Sequence, residues 1–225
     1  KALDGLDLQV PQGIIFGFLG RNGAGKTTTI RMLTGLAHPS SGSGWVAGVP
    51  ITDHQSLSWK IGYLSEEPAF YTWMTPCEFL DHIGRIFRIP SKERKHRIDE
   101  LLAVVDLQSA ATRRIKGFSR GMRQRLGLAQ ALINQPEVLF LDEPASALDP
   151  EGRRTVLNLV IELKKKHTVF MSTHILADAE EVCDRVAIID QGKLIVEDDK
   201  TALQKRYSRP ILELECRLED HARFS

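Results

Sequence analysis

The sequence predicts an α/β fold in which a helical segment interrupts the sheet, and three patterns lead to this prediction. Short, continuously apolar runs at residues 14–19 and 138–141 are typical of buried parallel strands. From residue 75 to residue 135 the strand patterns disappear and helical periodicity takes over. Strand and helix patterns then alternate again to about residue 190. This order predicts an α/β core with an all-helical insertion.

The first third of the chain shows both strand and helix patterns. Leu6, Leu8 and Val10 alternate with polar residues, which predicts a half-exposed strand. The breaker cluster HPSSGSG at 38–44 separates a predicted helix from two short strands. The predicted elements are, in order, a strand at 6–10, a buried strand at 14–19, a helix at 26–36, and short strands near 45–49 and 61–64.

The remaining elements follow from capping and charge signals. Ser91 is a candidate N-cap for a helix in the insertion. A helix is predicted over 151–166, because its acid lies at the start and its lysines at the end, which suits the helix dipole. Strands are predicted near 168–172 and 185–190, and the second of these turns at 191–192 into a hairpin.

Composition narrows the class of protein. The chain has 225 residues, 42% of them hydrophobic, which is enough to bury a core. Lys and Arg number 30 and Asp and Glu 29, a net charge of +1, whereas proteins that bind nucleic acids through bulk charge have a basic excess. The longest apolar runs are too short to span a bilayer. We expect a soluble, cytosolic protein, truncated at one or both ends, that needs a partner for any membrane role.

The three cysteines are widely scattered. Cys77, Cys183 and Cys216 form no CxxC pair, and the histidines do not cluster. An odd number of dispersed cysteines suits a reducing compartment and fits neither a disulfide framework nor a zinc site.

The segment GRNGAGKT at 20–27 is the strongest single motif. It matches G-x-x-x-x-G-K-[ST] and lies directly after a buried strand at the start of a helix. Gly23 and Gly25 let backbone N–H groups fold around phosphate oxygens, Lys26 would reach the β- and γ-phosphates, and the Thr27 hydroxyl would ligate Mg²⁺. Chance produces such a match in about one chain in a hundred. The motif predicts a nucleoside triphosphate site.

Polar residues at the ends of two further predicted strands suit the same chemistry. Asp142 follows a buried strand, where it could hold Mg²⁺ opposite Thr27, while Glu143 points elsewhere and could act as base on a water. His174 ends another apolar strand and could contact the γ-phosphate or orient water. The alternatives are two acids that merely cap a strand and a structural histidine.

The octamer FSRGMRQR at 118–125 has three interpretations. It could be a nucleic-acid patch, a solvated face, or a helix N-terminus that binds phosphate. Nothing within the octamer decides between them.

Taken in order, these motifs resemble those of the ATP-binding cassette (ABC) ATPases over almost the full chain. The matching segments are 20–28 (Walker A), 61–67 (Q-loop region), 118–122 (signature), 138–143 (Walker B), 146–149 (D-loop) and 173–174 (switch). The resemblance implies a P-loop NTPase (RecA-like) core with a small antiparallel β region and an inserted α-helical subdomain. It implies one ABC ATPase domain over 1–205, with the α/β core at 1–66 and 136–205 and the helical subdomain at about 67–135. Residues 206–225 would begin a truncated C-terminal extension.

The resemblance also implies a set of site residues. In this family ATP lies between two cassettes, with the Walker A of one facing the signature of the other, so FSRGM becomes a phosphate-binding helix terminus. The implied nucleotide-binding residues are Gly20, Arg21, Asn22, Gly23, Ala24, Gly25, Lys26, Thr27, Thr28, Ser119, Arg120, Gly121 and Asp149. The implied catalytic residues are Glu143 and His174, and the implied metal ligands are Thr27, Glu66 and Asp142. Arg123 and Arg125 are then expected to be solvated or paired.

Several positions depart from the family pattern. Arg120 replaces the first signature glycine and Met122 the final glutamine, while Ser119 and Gly121 remain. Glu66 stands where the family commonly has Gln, and its added charge is expected to alter metal affinity. The aromatic residue that usually stacks on adenine would precede ALDGL, where this sequence has none.

The implied function is that of an ATP-binding and ATP-hydrolysing transporter subunit of the bacterial exporter type. Its partners would be a transmembrane permease and a second ATPase subunit, without nucleic acid, at the cytoplasmic face of the membrane. A soluble ABC ATPase acting on ribosomes or DNA is the alternative, and a P-loop kinase is a third class that would not need the signature. Tyr71, Trp73 and Met74 lie between Pro68 and Pro76 and predict a permease-docking loop, whereas Phe79 is expected in the core.

Overall fold

A computed structural model describes residues 2–146 and 148–207. Its strands are β1 (Ile15–Leu19), β2 (Trp45–Val46), β3 (Val49–Pro50), β4 (Ile61–Leu64), β5 (Val138–Asp142), β6 (Thr168–Thr173), β7 (Arg185–Asp190) and β8 (Lys193–Asp199). Its α-helices are α1 (Lys26–Leu33), α2 (His54–Lys60), α3 (Pro76–Ile86), α4 (Ser91–Val104), α5 (Arg120–Leu132), α6 (Pro150–Leu163), α7 (Leu176–Val182) and α8 (Lys200–Tyr207). Short 3₁₀ turns occupy 108–110 and 115–117.

The main sheet has the strand order β4-β5-β6-β1-β7-β8. The first five strands run parallel, and β8 pairs antiparallel with β7. Strands β1 and β6 are buried along their whole lengths, as expected for strands with helices on both faces. Because parallel strands end at the same edge, the segments after β1, β5 and β6 come together there. The predicted α/β core with a small antiparallel β region, the β2–β3 hairpin, is confirmed.

The inserted helices α3, α4 and α5 lie between β4 and β5 in the chain. Helix α3 begins with a capping box, in which the Thr75 hydroxyl accepts from the Glu78 N–H and the Glu78 carboxylate accepts from the Thr75 N–H. Helix α5 packs so closely on β4 that a Cβ at Gly62 would lie 2.0 Å from the Ala131 carbonyl oxygen. One hydrophobic cluster includes both helical residues, such as Leu102, and sheet residues. The helices are therefore anchored firmly to the sheet.

Helix α1 ends three residues earlier than the sequence predicts. The Gly35 N–H donates to Met32 O and the Leu36 N–H to Arg31 O, and Gly35 has φ 75°. This is the Schellman arrangement, which satisfies the last carbonyls of a helix and stops it. The left-handed conformation favours the glycine at this position.

Three other predicted elements are wrong in detail. Residues 6–10 belong to no strand pair among the described residues, and Leu6, Leu8 and Val10 alternate in burial because they pack one-sidedly on a core cluster. Ser91 is the first helical residue and not the N-cap, because the Pro90 carbonyl already accepts the Arg94 N–H. The helix predicted at 151–166 starts at Pro150, after the Asp149 cap, and ends at Leu163.

Part of the prediction for 206–225 lies outside the described residues, as does Cys216. Within 2–146 and 148–207, no helix combines the length and apolar character that a membrane crossing needs.

Candidate nucleotide site

The segments that follow β1, β5 and β6 form one wall of the site. The Gly20 N–H, directly after β1, donates to the Thr173 carbonyl at the end of β6 at 3.4 Å. Glu143 follows β5 and His174 follows β6. The structure therefore brings together the three motif segments that lie far apart in the sequence.

Backbone geometry makes residues 20–27, the P-loop, dependent on glycine. Gly25 precedes α1 with φ 112°, and a Cβ there would lie 2.9 Å from the Ala2 carbonyl oxygen. A Cβ at Gly20 would lie 2.5 Å from the Ile189 carbonyl oxygen. Helix α1 has no side-chain cap and no acidic residue in its first turn, so no acid of its own first turn compensates the positive N-terminal end of its dipole. Such a helix terminus attracts an anion.

A hairpin turn supports the P-loop from behind. The Gly192 N–H donates to the Ala24 carbonyl at 2.9 Å, and the Gly192 carbonyl accepts from the Asp4 N–H at 2.8 Å. Gly192 has φ 77°, and a Cβ there would lie 2.5 Å from the Ala2 carbonyl oxygen. The β7–β8 turn, the P-loop and the segment before β1 are thus held together by backbone contacts.

Lys26 is buried, and its ammonium group contacts three oxygen atoms. Its Nζ donates to the carbonyl of Gly20 at 2.7 Å and to that of Arg21 at 3.3 Å. The same Nζ lies 3.2 Å from Glu143 Oε1. Lys26 is 6% exposed, so this ammonium group depends on these oxygens for its solvation.

Glu143 connects the lysine to the histidine. Its Oε2 lies 2.9 Å from His174 Nδ1, while Oε1 faces Lys26. Glu143 has φ 50°, a left-handed conformation that a glutamate rarely adopts, and its carbonyl accepts from the Ser146 N–H in a tight turn. A strained residue of this kind persists only where surrounding contacts hold it. Its carboxylate is thereby fixed between two basic groups.

Asp142 lies at the carboxyl end of β5 and is 1% exposed. Its Oδ1 accepts from the Ser172 hydroxyl at 2.6 Å, and Ser172 Oγ in turn accepts from the Glu143 N–H at 3.0 Å. Burial and the nearby Asp142 charge raise the pKa of the Tyr63 hydroxyl, which therefore stays neutral. Sequence reasoning missed Ser172, although a hydroxyl two residues before His174 on a buried strand was a usable signal.

A cleft of about 270 Å³ opens between the P-loop and Glu143. It is lined by Ala2, Asn22, Gly23, Gly25, Lys26, Thr27, Thr28, Glu66 and Glu143. Glu66, which the family resemblance implies as a metal ligand, therefore lies in the same cleft as the P-loop residues. Of the other loop residues in the prediction, Arg21 is exposed and Ala24 is buried beneath the loop.

The signature segment (118–122) lies elsewhere. Ser119 caps α5 by accepting the Met122 N–H at 3.2 Å, and it does not line the cleft. Ser119 and Arg120 are exposed and Gly121 is half-buried. Asp149 is likewise exposed and caps α6 through the Gly152 N–H. The described chain therefore does not bring these four predicted nucleotide contacts to its own cleft.

The arginines after the signature segment behave as expected. Arg125 Nη1 lies 2.7 Å from Asp106 Oδ2 and also donates to the backbone carbonyls of Val105 and Asp106. Arg123 is exposed to solvent. The prediction that these residues are solvated or paired is confirmed.

In the aromatic loop (residues 70–74), the side chains that the sequence predicts to be exposed are exposed, except at one position. Trp73 is 61% and Tyr71 51% exposed, and their ring centroids lie 6.0 Å apart. Phe79 is buried in the core, as predicted. Met74 is not exposed but packs on the main hydrophobic cluster, because the backbone pairing of Met74 O with the Ile115 N–H turns this end of the loop inwards.

Fold and site together define a nucleotide-binding protein of the P-loop NTPase class. The family described as ABC transporter matches residues 3–146. An uncharacterized ABC transporter ATP-binding protein of Synechocystis is 46% identical over 198 residues, 87% of this chain and 56% of that protein. The bacitracin transport ATP-binding protein BcrA of Bacillus licheniformis is 44% identical over 96% of this chain and 70% of its own length. The chain belongs to the ABC transporter family.

A solved structure agrees with this assignment. CbiO1 from Clostridium perfringens, part of the ABC transporter complex cbiONQ, superposes with a TM-score of 0.83 at 26% identity. The superposition covers 91% of this chain and 84% of that protein. The chain nevertheless spans only a little over half the length of the Synechocystis relative.

Proposed function

We propose that this chain is the ATP-binding and ATP-hydrolysing subunit of a transporter that exports a substrate through a separate membrane permease. The observation that carries the ATPase activity is the contact series Lys26–Glu143–His174 beside the P-loop cleft. It combines a phosphate-binding cation, a carboxylate base and an orienting histidine within one site.

Lys26 changes partners when nucleotide binds. In the described structure its ammonium group is satisfied by two P-loop carbonyls and by Glu143. Phosphate oxygens carry full negative charge and make stronger hydrogen bonds than neutral carbonyls do. Lys26 would therefore turn to the β- and γ-phosphates, and this movement would release Glu143 from its ion pair.

Glu143 then acts as the general base. The oxygen of a water molecule attacks the γ-phosphorus while its proton passes to the Glu143 carboxylate. The bond from the γ-phosphorus to the bridging oxygen breaks, and ADP leaves with the electron pair. The 2.9 Å contact of Oε2 with His174 Nδ1 fixes the orientation of the carboxylate during this step.

The donor set fits a magnesium ion. Thr27 and Glu66 line the cleft, and the buried Asp142 is the last residue of β5. Each of the three offers the hard oxygen ligands that Mg²⁺ prefers. Bound there, Mg²⁺ would neutralise phosphate charge. A carboxylate at position 66 adds negative charge to this donor set, which is expected to strengthen metal binding.

A second copy of the chain would complete the site. Ser119, Arg120 and Gly121 start helix α5 on an exposed surface, away from the chain's own cleft. Ser119 and the Gly121 N–H suit a γ-phosphate presented by another protomer. Asp149 would lie near the same interface.

Exposed aromatics support a permease as the other partner. The exposed rings of Tyr71 and Trp73 lie 6.0 Å apart, and the two residues follow Glu66 closely in the sequence. Large exposed aromatics of this kind mark interaction sites. The chain would then work at the cytoplasmic face of a membrane, bound peripherally to its permease.

The domain arrangement and the type of transport are part of the same proposal. We retain a single domain over 1–205, with a helical subdomain at about 67–135, because α3, α4 and α5 form a continuous insertion between β4 and β5. The proposal of transport by export, and not of action on ribosomes or DNA, has a different basis. It is supported by relatives that are named as transport proteins, BcrA among them.

The test is MgATP hydrolysis by the purified chain. Lys26→Ala should abolish phosphate release and weaken ATP binding. Lys60→Ala is the matched control, because Lys60 pairs with Glu137 on the surface away from the cleft. Equal activity in the two variants would refute the assignment. The transport part is tested separately by sequencing the neighbouring genes for a membrane protein and by asking whether that protein copurifies with the chain.

A further inference from the structure

We propose that Ser172 is a positioning residue that sets the geometry of both carboxylates of the site. This inference rests on the proposed ATPase function. The supporting observation is that one buried hydroxyl group joins the side chain of Asp142 to the backbone of Glu143.

Strand register places the serine opposite the aspartate. Asp142 and Ser172 are Cα partners in the parallel β5–β6 ladder, so their side chains leave the sheet on the same face. The Ser172 hydroxyl has one proton, which it donates to Asp142 Oδ1 at 2.6 Å. This hydrogen bond fixes the Asp142 carboxylate and leaves Oδ2 as the oxygen with which it can serve a ligand.

The same hydroxyl replaces a missing ladder bond. Strand β5 ends at Asp142, and the left-handed turn at Glu143 takes its backbone out of the sheet. The Glu143 N–H is buried and donates to Ser172 Oγ at 3.0 Å. Without this acceptor a buried donor would be left unpaired at a strained residue, which is an unfavourable state.

The end of β6 therefore supports the site on two sides. Ser172 contacts β5 through its side chain, and Thr173 accepts the Gly20 N–H of the P-loop through its carbonyl. The Thr173 hydroxyl also accepts the Ile175 N–H, which shapes the turn that carries His174. Of Ser172, Thr173 and His174, Ser172 is the one whose hydroxyl forms hydrogen bonds with both Asp142 and Glu143. Ser172 is 0% exposed.

The test compares two hydroxyl deletions on one strand. Ser172→Ala removes the bridge, whereas Thr168→Ala removes a hydroxyl at the opposite end of β6 that accepts the Gly13 N–H at 2.9 Å. Both variants lose a hydroxyl that accepts a backbone N–H, but Ser172→Ala also loses the hydrogen bond to the buried Asp142 carboxylate, so it should lose more thermal stability than Thr168→Ala. Only Ser172→Ala should lower kcat, by about 10–100-fold, as for outer partners of metal ligands.

Two further measurements separate positioning from packing. Ser172→Thr keeps the hydroxyl and should retain most of the kcat that Ser172→Ala loses. Binding of a fluorescent ATP analogue should be unchanged by Ser172→Ala in EDTA, but the gain in affinity that Mg²⁺ provides should shrink, because Asp142 is less well oriented.

The outcomes are distinguishable. A wild-type chain without hydrolysis would refute the proposed function itself. An active wild type with equal kcat in Ser172→Ala and Thr168→Ala would refute only the role of Ser172. An unchanged Mg²⁺ effect on nucleotide affinity would refute the part of the proposal that concerns Asp142.

Discussion

Two helix N-termini of this chain are proposed to bind phosphate, and they are built differently. Helix α1 starts at a buried lysine, has no side-chain cap and opens into a cleft with Glu66 and Glu143. Helix α5 starts on the surface and is capped by Ser119, with no carboxylate in its first turn. Helices α2 and α8 also lack a first-turn acid, so this feature permits phosphate binding without indicating it.

The difference shows which groups each helix terminus has available for binding phosphate. The α1 terminus has a cation, a base and candidate metal ligands around it, all from its own chain. The α5 terminus has only its backbone dipole, a hydroxyl and exposed arginine, so by itself it would bind phosphate weakly. Its contribution would arise only when another surface encloses the phosphate.

The largest effect is expected from a substitution beside α1 that prevents ATP hydrolysis but leaves ATP binding intact. Glu143→Gln should lower kcat by about 10²–10⁴-fold, because general-base catalysis contributes that much. The amide keeps the volume but removes the ion pair with Lys26, so ATP affinity should persist or increase. Phosphate release and nucleotide binding, measured on the same preparation, check this. Near-normal turnover would contradict the role of Glu143.

The next prediction tests whether the two termini work in different protomers. Ser119→Arg should abolish hydrolysis while the isolated chain still binds ATP, because the α1 side is unaltered. Mixing Ser119→Arg with Lys26→Ala should rebuild one competent site of two and restore measurable activity. If mixed dimers demonstrably form and remain inactive, the arrangement across the interface is wrong.

A stability prediction concerns only the helices that support α5. The hydrogen bond from Arg94, and then that from Arg85, lowers the pKa of Asp81, and the Arg94 side chain is buried. Asp81→Asn should reduce the free energy of unfolding by about 1.5–3 kcal/mol at pH 7, the range for hydrogen bonds to charged groups. ATP affinity should not change.

The pH dependence of this effect has a defined sign. Because the pKa of Asp81 is lower in the folded than in the unfolded chain, its contribution is complete above about pH 3.8 and is lost as the pH falls through the folded-state pKa. The difference between wild type and Asp81→Asn should therefore shrink in acid. Asp99→Asn, at an exposed position on α4, is the control and should change the free energy of unfolding little at pH 7.

The smallest expected effect on the isolated chain is at the aromatic loop. Trp73→Ala should change the free energy of unfolding by no more than about 0.5 kcal/mol, as for exposed positions, and should leave ATP binding intact. Association with the permease, or transport in the reconstituted complex, should nevertheless fall. Phe79→Ala, in the core, should instead destabilise by about 3–5 kcal/mol. If Trp73→Ala lost a similar amount of unfolding free energy, Trp73 would belong to the core and not to an interaction surface.

The parts of the site that could be predicted are the local ones. The P-loop is contiguous in sequence, so its glycines and Lys26 could be assigned from spacing alone. Asp142, Glu143 and His174 could be assigned because each follows a continuous apolar strand. Glu66 was placed at the cleft on the strength of family resemblance, and it lines the cleft.

The parts that could not be predicted depend on register and packing. The position of Ser172 on a buried strand before His174 was a usable signal, but its proposed role depends on pairing with Asp142, 30 residues away, and this register is not encoded locally. The alternation at residues 6–10 correctly predicts one-sided burial, but burial does not require a ladder partner. Met74 was expected on the surface, and backbone pairing with Ile115 turns it inwards.

The backbone contacts around Gly192 make the β7–β8 turn a place from which to observe the P-loop by fluorescence. Lys193 is exposed next to Gly192, whose N–H reaches Ala24 in the loop, so a dye at Lys193→Cys would report nucleotide binding without touching the cleft. Selective labelling is feasible, because burial raises the pKa of the Cys183 thiol to about 12 and also raises that of Cys77. Both thiols stay protonated and react slowly at neutral pH. With Cys216 replaced by serine, the chain would carry one reactive thiol, 1 residue beyond the turn that supports its phosphate loop.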